Sequence, residues 1–260
     1  MRSLWLILIF VLSALISKCN SREARAISGR IVGGVEVDIE KIPYQVSLLY
    51  YDSLACGASI LSCKFVLTAA HCFRGVLIVS SYTVRAGSST FFEGGSIHDV
   101  SKIDIHPQYN RTLLDYDAAI LTLRNLIKYD ATRQAIQLPF LNEVIPEGTA
   151  VITSGWGLTQ NFNESSYVLR MVELKVTNQA QCNIIFLGDG GITTRMLCAG
   201  ADGKDSCEGD SGGPLQHAVS KKLVGIVSFG QSGGCAQKGI PGVYTRVAAI
   251  RTWIREIVEI

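Results

Sequence analysis

The chain has 260 residues, of which 48% are hydrophobic and 18% charged, and its formal net charge is +2. The first thirty residues carry five of the 24 bases and one of the 22 acids, so the rest has 19 bases, 21 acids and a net charge of −2. A nearly neutral chain without a basic block does not attract phosphates, which argues against a nucleic-acid-binding function.

The N-terminal segment has the pattern of a secretory signal peptide. Arg2 is followed by an apolar run over residues 4–16, which is too short to span a bilayer as a helix. Small residues after the run suit cleavage at the end of residues 1–19, and the polar stretch 20–30 is predicted to be a propeptide. We therefore expect a secreted mature chain, residues 31–260, with no membrane span because no second run is apolar enough.

Most of the remaining chain reads as short β-strands. Nine segments rich in Val, Ile, Leu and Thr are bounded in many places by Gly or Pro, a pattern typical of all-β barrels and sandwiches. Two helices are predicted, one over 179–186 and one at the C-terminus, where Val247, Ile250 and Ile254 recur at three- and four-residue steps. Periodicity does not distinguish a barrel from a sandwich. The predicted strands are 45–51, 64–69, 82–86, 99–105, 118–123, 150–154, 171–176, 223–228 and 243–247.

Eight cysteines fit a secreted, disulfide-bonded protein, but their positions alone do not give the pairing. No C-x-x-C or H-x-x-x-H spacing is present, so zinc ligation is a poor alternative. Cys19 falls in the predicted signal peptide. Cys63 lies in a predicted turn, where we expect either an unpaired thiol or an intermolecular bridge. The other six are Cys56, Cys72, Cys182, Cys198, Cys207 and Cys235.

The stretch GKDSCEGDSGGP, residues 203–214, sets Ser211 among three glycines. A serine hydroxyl is a poor nucleophile unless a neighbouring base removes its proton. Gly209, Gly212 and Gly213 permit the tight backbone path that leaves N–H groups free to hold an oxyanion. Read alone, the stretch is also compatible with a glycine-rich surface turn.

Two further segments supply a base and an acid. His71 ends the apolar run VLTAAHC, residues 66–72, and Asp117 heads an apolar run within DYDAAILTL, residues 115–123. Asp115 is an alternative acid two residues away, but Asp117 adjoins the apolar strand and is the more readily buried. The remaining histidines, which we interpret as structural, are His98, His106 and His217.

With IVGG at residues 31–34, these motifs resemble, in content and order, those of the chymotrypsin-like serine proteases, the trypsin family. The resemblance covers residues 31–260 and implies an all-β fold of two six-stranded antiparallel β-barrels with a C-terminal α-helix. One barrel would occupy about residues 31–135 and the other 136–260. The resemblance further implies a monomer that needs no cofactor and meets protein or peptide substrates and protein inhibitors. It also implies three disulfides, Cys56 with Cys72, Cys182 with Cys198, and Cys207 with Cys235.

By resemblance, the catalytic group consists of His71, Asp117 and Ser211. His71 would accept the Ser211 proton and later give it to the leaving amine, and Asp117 would orient the His71 ring. The backbone N–H groups of Gly209 and Ser211 would form the oxyanion hole. Ser228 would donate a further hydrogen bond to Asp117.

The resemblance also places a substrate pocket around Asp205, six residues before Ser211. A carboxylate at the floor of this pocket would select Arg or Lys before the cut bond through charge-assisted hydrogen bonds. An apolar floor would instead give chymotrypsin-like specificity. Ser206 would add a polar wall. The other substrate-binding positions are Ser228, Phe229, Gly230 and Gly242.

The sequence SGR before IVGG implies a precursor. Cleavage after Arg30 would free the ammonium of Ile31, and the resemblance implies that this terminus pairs with Asp210, the acid just before Ser211. The alternative is that Asp210 caps a turn. Arg30 itself suits the expected specificity, which allows self-activation. Because no regulatory domain precedes Ile31, we expect a digestive enzyme.

Three positions depart from the family pattern. Phe229 stands where Trp is usual, Phe186 where Tyr is usual, and Glu208 where Gln is usual. We expect these changes to alter the preference for residues flanking the cut, with Glu208 disfavouring acidic ones.

Between residues 87 and 98 the one acid is Glu93, too few oxygen ligands for the family's calcium loop, so no metal is expected. Sequons at Asn110 and Asn163 predict surface glycosylation sites. The alternative functional class is a catalytically silent relative that acts as a binding protein, although all three catalytic residues are present.

Overall fold

The computed structural model describes residues 32–157, 167–231 and 234–260. Within these ranges the chain forms thirteen β-strands and two α-helices, joined in places by 3-10 turns. The strands are β1 (Val35–Glu36), β2 (Gln45–Tyr50), β3 (Ser53–Ile60), β4 (Phe65–Thr68), β5 (Tyr82–Ala86), β6 (Ser96–Ile105), β7 (Ala119–Leu123), β8 (Ala150–Gly155), β9 (Arg170–Val176), β10 (Met196–Gly200), β11 (Pro214–His217), β12 (Leu223–Phe229) and β13 (Gly242–Arg246). The helices are α1 (Gln179–Ile185) and α2 (Arg251–Val258).

All nine predicted strands are present, whereas β1, β3, β10 and β11 are not predicted. The strand β3 is mostly Ala, Gly, Ser and Cys with one β-branched residue, β10 has no β-branched residue, and β11 opens with Pro214. Both predicted helices form, but α2 begins at Arg251 because Val247–Ala249 makes a 3-10 turn. Neither helix of the described ranges is long and apolar enough to cross a membrane.

The strands form two closed antiparallel barrels, which confirms the barrel fold and removes the sandwich alternative. The first barrel closes in the order β2-β3-β4-β7-β6-β5. The second joins β9, β10, β13, β12, β11 and β8, and closes because β8 also pairs with β9. β1 extends this second sheet through the pair Val35 and Met171, although it precedes every strand of the first barrel in sequence.

A hydrophobic cluster holds the barrels together. It includes Leu67 and Ile120 from the first barrel, Ile226 from the second and Ile254 of α2, all buried. Burying an aliphatic side chain of this size contributes about 1.5–3 kcal/mol. The cluster therefore fixes the relative placement of the two barrels, and the C-terminal helix closes over it.

Three disulfides are formed with the expected pairing, Cys56 with Cys72, Cys182 with Cys198, and Cys207 with Cys235. The first ties β3 to the turn that follows β4. The third ties the loop before β11 to the loop before β13. Cys63 is partly buried and forms no disulfide within the chain, and the expectation of either an unpaired thiol or an intermolecular bridge stays a prediction.

The loop between β5 and β6 is organised by a cation that the chain itself supplies. The guanidinium of Arg85 donates to the carbonyl oxygens of Phe91 and Phe92, both at 2.9 Å, and of Gly94 at 2.5 Å. The carbonyl of Glu93 accepts from the Ser88 hydroxyl at 2.6 Å. Carbonyl oxygens that converge in this way are thus satisfied by side chains.

We expect Arg85→Met to destabilise the protein by about 2 kcal/mol, because the three carbonyls lose a charged donor that water replaces incompletely. For a protein of this size that corresponds to a fall in Tm of about 4–8 °C. Calorimetry at one scan rate measures it, with the exposed Arg124→Met as control. A chelator should leave the wild-type Tm unchanged; a chelator-induced fall would contradict the role given to Arg85.

Candidate active site

The three candidate catalytic residues meet where the barrels face each other. His71 is in the 3-10 turn Ala70–Cys72, which follows β4, and Asp117 lies two residues before β7. Ser211 precedes β11, a strand of the second barrel. His71 and Ser211 line the same surface cavity, of ≈ 540 Å³. Each barrel therefore contributes to one cleft.

His71 and Asp117 form a closely coupled pair. The ring Nδ1–H of His71 donates to Oδ2 of Asp117 at 2.6 Å, and the backbone N–H of His71 donates to Oδ1 at 2.8 Å. The Asp117 side chain is fully buried. Two bonds from one residue fix both the position and the tautomer of the imidazole, so Nε2 is left as the free acceptor.

The second barrel supplies the remaining bonds to Asp117. The Ser228 hydroxyl donates to Oδ2 at 2.6 Å, as the resemblance implies. The Thr245 hydroxyl donates to the Asp117 carbonyl at 2.8 Å. Sequence reasoning does not identify Thr245, because the run VYTR carries no motif. The buried carboxylate is thus satisfied by both barrels.

The backbone around Ser211 takes a path that suits glycine. Gly209 has φ +95° and Gly212 has φ +76°, and a Cβ on Gly209 would lie 2.9 Å from Cα of Gly157. Among the hydrogen bonds of the described residues, none uses the backbone N–H of Gly209 or of Ser211. These two donors are therefore available to an external oxygen.

Among the described residues, the Ser211 hydroxyl makes no hydrogen bond to the His71 ring. Such bonds are commonly long without substrate and shorten in the reacting complex. The geometry therefore places the candidate nucleophile, Ser211, and the candidate base, His71, in one cleft with the His71 ring already oriented.

Asp210, which directly precedes Ser211 in the same loop, is fully buried. Its Oδ1 accepts from the backbone N–H of Gly157 at 2.8 Å and its Oδ2 from that of Cys207 at 2.9 Å. Burial raises the pKa of Asp210 to about 7, and the two N–H bonds only partly oppose this effect. The carboxylate thus lies where a cation would be strongly favoured.

A second cavity, of ≈ 270 Å³, opens beside Ser211. It brings together every substrate-binding position expected from the sequence, with Glu208 at its edge. These lining residues are Asp205, Ser206, Ser228, Phe229, Gly230 and Gly242.

Asp205 is the buried acid of this cavity, with 8% of its surface exposed. Its Oδ2 accepts from the backbone N–H of Ala236 at 3.0 Å, whereas Oδ1 is buried without a partner among the described residues. Burial raises the pKa of Asp205 to about 6, against the opposing bonds from Ala236 and Ser206. An oxygen in this state is poised to accept a donor from outside the chain.

Glycines keep the cavity open. A Cβ on Gly242 would lie 2.9 Å from Oδ1 of Asp205, so a side chain there would obstruct the acid. A Cβ on Gly230 would meet no atom within 4 Å and would project into open space. The Ser206 hydroxyl lies 3.3 Å from the Tyr244 hydroxyl, which makes that wall polar.

Two of the three departures from the family pattern, Phe186 and Phe229, pack against each other, and the third, Glu208, is exposed at the cavities. Phe186 is fully buried and packs edge-on against Phe229, with ring centroids 5.6 Å apart. A hydroxyl at residue 186 would enter an apolar cluster that includes Met196 and Val243. Glu208 is exposed and lines both cavities.

Asp115, the alternative acid, forms an ion pair of its own. Arg195 contacts both of its oxygens, and the Thr193 hydroxyl donates to Oδ1 at 2.9 Å. Burial by itself would raise the pKa of Asp115, but the bonds from Arg195 and Thr193 outweigh it and hold the pKa below its usual range. Asp115 is therefore occupied elsewhere and is not the partner of His71.

The other histidines have structural surroundings. His98 lies 2.8 Å from the Ser96 hydroxyl and 2.9 Å from a backbone carbonyl. His106 is buried and stacks on Tyr116, and burial lowers its pKa to about 4. Nδ1 of His217 accepts backbone N–H groups in a surface turn.

Two features bear on modification and metal binding. Asn110 is exposed, whereas Asn163, Arg30 and Ile31 lie outside the described residues. Ligand atoms of Cys56, His71 and Cys72 lie within 4.8 Å of one another. The two sulfurs form a disulfide and Nδ1 of His71 binds Asp117, so this cluster lacks the free thiolates that a metal would need.

Comparison with known proteins agrees with this geometry. A family model described as Trypsin matches residues 31–254. Trypsin 5G1 of Aedes aegypti is 46% identical over 233 residues, which cover 88% of this chain and 85% of that protein. The chain belongs to the trypsin family. It is accordingly a serine endopeptidase, a hydrolase that acts on protein substrates.

Two further relatives of this trypsin-family chain are similar over most of their length. Trypsin of Simulium vittatum is 44% identical over 238 residues, covering 89% of this chain and 94% of that protein. A vitellin-degrading protease of Bombyx mori is 41% identical over 229 residues, covering 87% and 85%. The similarity therefore extends over both barrels.

We predict that binding of benzamidinium, a small aromatic cation, weakens as the pH falls through about 6, the raised pKa of Asp205. The cation binds the carboxylate form, so each pH unit below that pKa should weaken binding about tenfold. Calorimetric titration across this range measures the effect. Asp205→Asn serves as control, since its weak binding should not vary with pH; a pH-independent wild type would count against the charge of Asp205.

Proposed function

We propose that this trypsin-family protein is a secreted endopeptidase, made as a zymogen, that cleaves after Arg or Lys. The observation that carries the proposal is the unpartnered oxygen of buried Asp205, at one end of the cavity that Ser211 also lines. A substrate side chain that ends in a cation would satisfy this oxygen and place its own carbonyl beside Ser211.

The proposed reaction proceeds through an acyl-enzyme. Nε2 of His71 takes the hydroxyl proton as Ser211 attacks the substrate carbonyl, and Asp117 stabilises the imidazolium. The proton then passes from His71 to the leaving amine as the peptide C–N bond breaks. In the second half of the reaction, His71 takes a proton from a water molecule as that water attacks the ester, and the proton passes to the Ser211 oxygen as the ester bond breaks. The oriented His71 ring and the free N–H groups of Gly209 and Ser211 support these roles.

The specificity rests on burial and space. A guanidinium or ammonium can make charge-assisted bonds to Asp205 in a site with little water, where such bonds are strong. The open backbone at Gly230 and Gly242 leaves room for a long side chain. Two of the relatives are named trypsins, which agrees with this preference.

Activation would use the new N-terminus that cleavage after Arg30 creates. Asp210 is buried, and an unpaired carboxylate there is costly, so an incoming ammonium of Ile31 would be held by it. The neighbouring Val32 supports this path: it is buried and exchanges backbone bonds with Asp205 at 3.0 and 3.3 Å. The cut chain would thereby order both the substrate cavity and the loop that carries Ser211.

The wider role follows from the sequence pattern. The apolar leader and the three disulfides support secretion. We propose a monomeric digestive enzyme that meets protein substrates and protein inhibitors. The silent binding protein is set aside, because the chain belongs to a family of serine endopeptidases and keeps His71 and Asp117 bonded to each other.

We expect Asp205→Ser to weaken cleavage after Arg and Lys strongly. Losing one partner of a buried charge pair costs about 2–5 kcal/mol, which lowers kcat/KM by roughly 30- to 5,000-fold. Anilide substrates with Arg, Lys or Tyr before the cut measure it, and the exposed Asp202→Asn is the matched control. Labelling of Ser211 by a fluorophosphonate shows that the variant is intact; retained Arg cleavage would refute the specificity.

We also expect the precursor to depend on Arg30 and Asp210. Arg30→Gln should block maturation, because the cut that frees Ile31 needs a basic residue there. Asp210→Asn should be cut normally but remain feeble, since the amide cannot hold the new ammonium. N-terminal sequencing and turnover per titrated site separate the two steps. Full activity of Asp210→Asn would show that the ion pair is unnecessary.

A further inference from the structure

The loop that leads into Asp117 is strained and yet well fixed. Leu114 has φ +51° and Tyr116 has φ +53°, the left-handed region that L-residues avoid. Such residues persist where the surroundings hold them in place. Asp115 lies between the two, so whatever holds Asp115 holds the strained segment.

Asp115 is held by the opposite barrel. Nε of Arg195 donates to Oδ1 at 3.2 Å, a second guanidinium nitrogen contacts Oδ2, and Thr193 adds a third side-chain bond. Arg195 immediately precedes β10 of the second barrel. The Asp115 side chain is 11% exposed and that of Arg195 31%, so the pair is partly shielded from solvent. Such a two-pronged contact restrains orientation as well as distance.

The same guanidinium also covers the next residue of the loop. The Arg195 guanidinium carbon lies 5.1 Å from the ring centroid of Tyr116. The Tyr116 ring also stacks on the His106 ring, with centroids 4.5 Å apart. The His106 ring in turn packs against Trp253 of α2, with centroids 4.7 Å apart. Tyr116 is therefore held between a cation and an aromatic stack.

The strand β13 closes this arrangement into a ring of contacts. The Thr245 hydroxyl donates to the carbonyl of Asp117, and the backbone N–H of the following residue, Arg246, donates to the carbonyl of Arg195 at 2.8 Å. Adjacent residues of one strand thus hydrogen-bond to Asp117 and to Arg195. A shift of Arg195 relative to this strand would be transmitted to the loop through Asp115.

We infer that Asp115 and Arg195 are a positioning pair that holds the Asp117 carboxylate in register with His71 across the barrel interface. This inference rests on the proposed role of Asp117. Without the pair, the left-handed segment relaxes and the carboxylate moves while substrate still enters the separate Asp205 cavity. The expected signature is therefore a loss in kcat with little change in KM.

The test uses the mature enzyme, with kcat normalised to sites titrated by an active-site reagent. Arg195→Ala and Asp115→Asn should each lower kcat on an Arg anilide by about 10- to 100-fold, because a small misplacement of catalytic groups has effects of that size. The double variant should be no worse than the single ones, because both remove the same contact.

Lys222→Ala is the matched control. Its partner Glu143 is 2.9 Å away, and the two side chains are 19% and 24% exposed, a comparable ion pair remote from Asp117. This variant should lower Tm without changing kcat. If Arg195→Ala does not fold, Thr193→Val, which removes one bond to Asp115, should still lower kcat by about 2- to 5-fold.

Asp117→Asn separates the two possible failures. If it lowers kcat by about four orders of magnitude while Arg195→Ala and Asp115→Asn turn over normally, the pair only stabilises the fold and the inference is overturned. If Asp117→Asn is itself active, the proposed function of Asp117 fails first. Equal losses in Arg195→Ala and Lys222→Ala would also overturn the inference, since they would reflect general destabilisation.

Discussion

The complete burial of the Asp117 carboxylate is the constraint on which the rest of the structure depends. A buried charge costs several kcal/mol unless its oxygens are satisfied. The backbone and ring of His71 provide two bonds from the first barrel, and Ser228 provides one from the second. The donors come together only when the barrels dock, so the hydrophobic cluster between the barrels and the buried charge favour the same arrangement. The orientation of the His71 imidazole is therefore a consequence of how the two barrels dock.

Besides Asp115, the described residues include three buried aspartates, which differ in the groups that complete their hydrogen bonding. Asp117 is satisfied by side chains and backbone of the folded chain, whereas Asp210 has two N–H bonds and a pKa raised to about 7. Asp205 keeps one oxygen unpaired and has a pKa raised to about 6. In the proposed function, the chain's own cut terminus completes Asp210 and the substrate completes Asp205. The proposed roles of the three acids in alignment, activation and recognition thus follow how completely the chain itself satisfies each carboxylate.

The sequence predicts the parts of this structure that are encoded locally. Strands with β-branched residues are found, while β3, with its Ala, Gly and Ser, is missed because its partners and not its composition make it a strand. His71, Asp117 and Ser211 are found because each sits in a motif. Thr245 and Arg195 are not, because their bonds to Asp117 and Asp115 span 128 and 80 residues. Contacts at that range depend on how the barrels dock, which no local pattern records.

In the proposed specificity, burial rather than the number of acids decides which carboxylate would govern recognition. Glu208 and Asp205 both line the cavity beside Ser211, but Glu208 is exposed and Asp205 is not. Two charges 4 Å apart interact by about 1 kcal/mol in bulk water and about 4 kcal/mol near a protein surface. Salt screens the exposed acid further. In the proposed function, Glu208 would therefore have a small effect on the preference for flanking residues, whereas the choice of a cationic side chain would depend on Asp205, the carboxylate that the fold has removed from water.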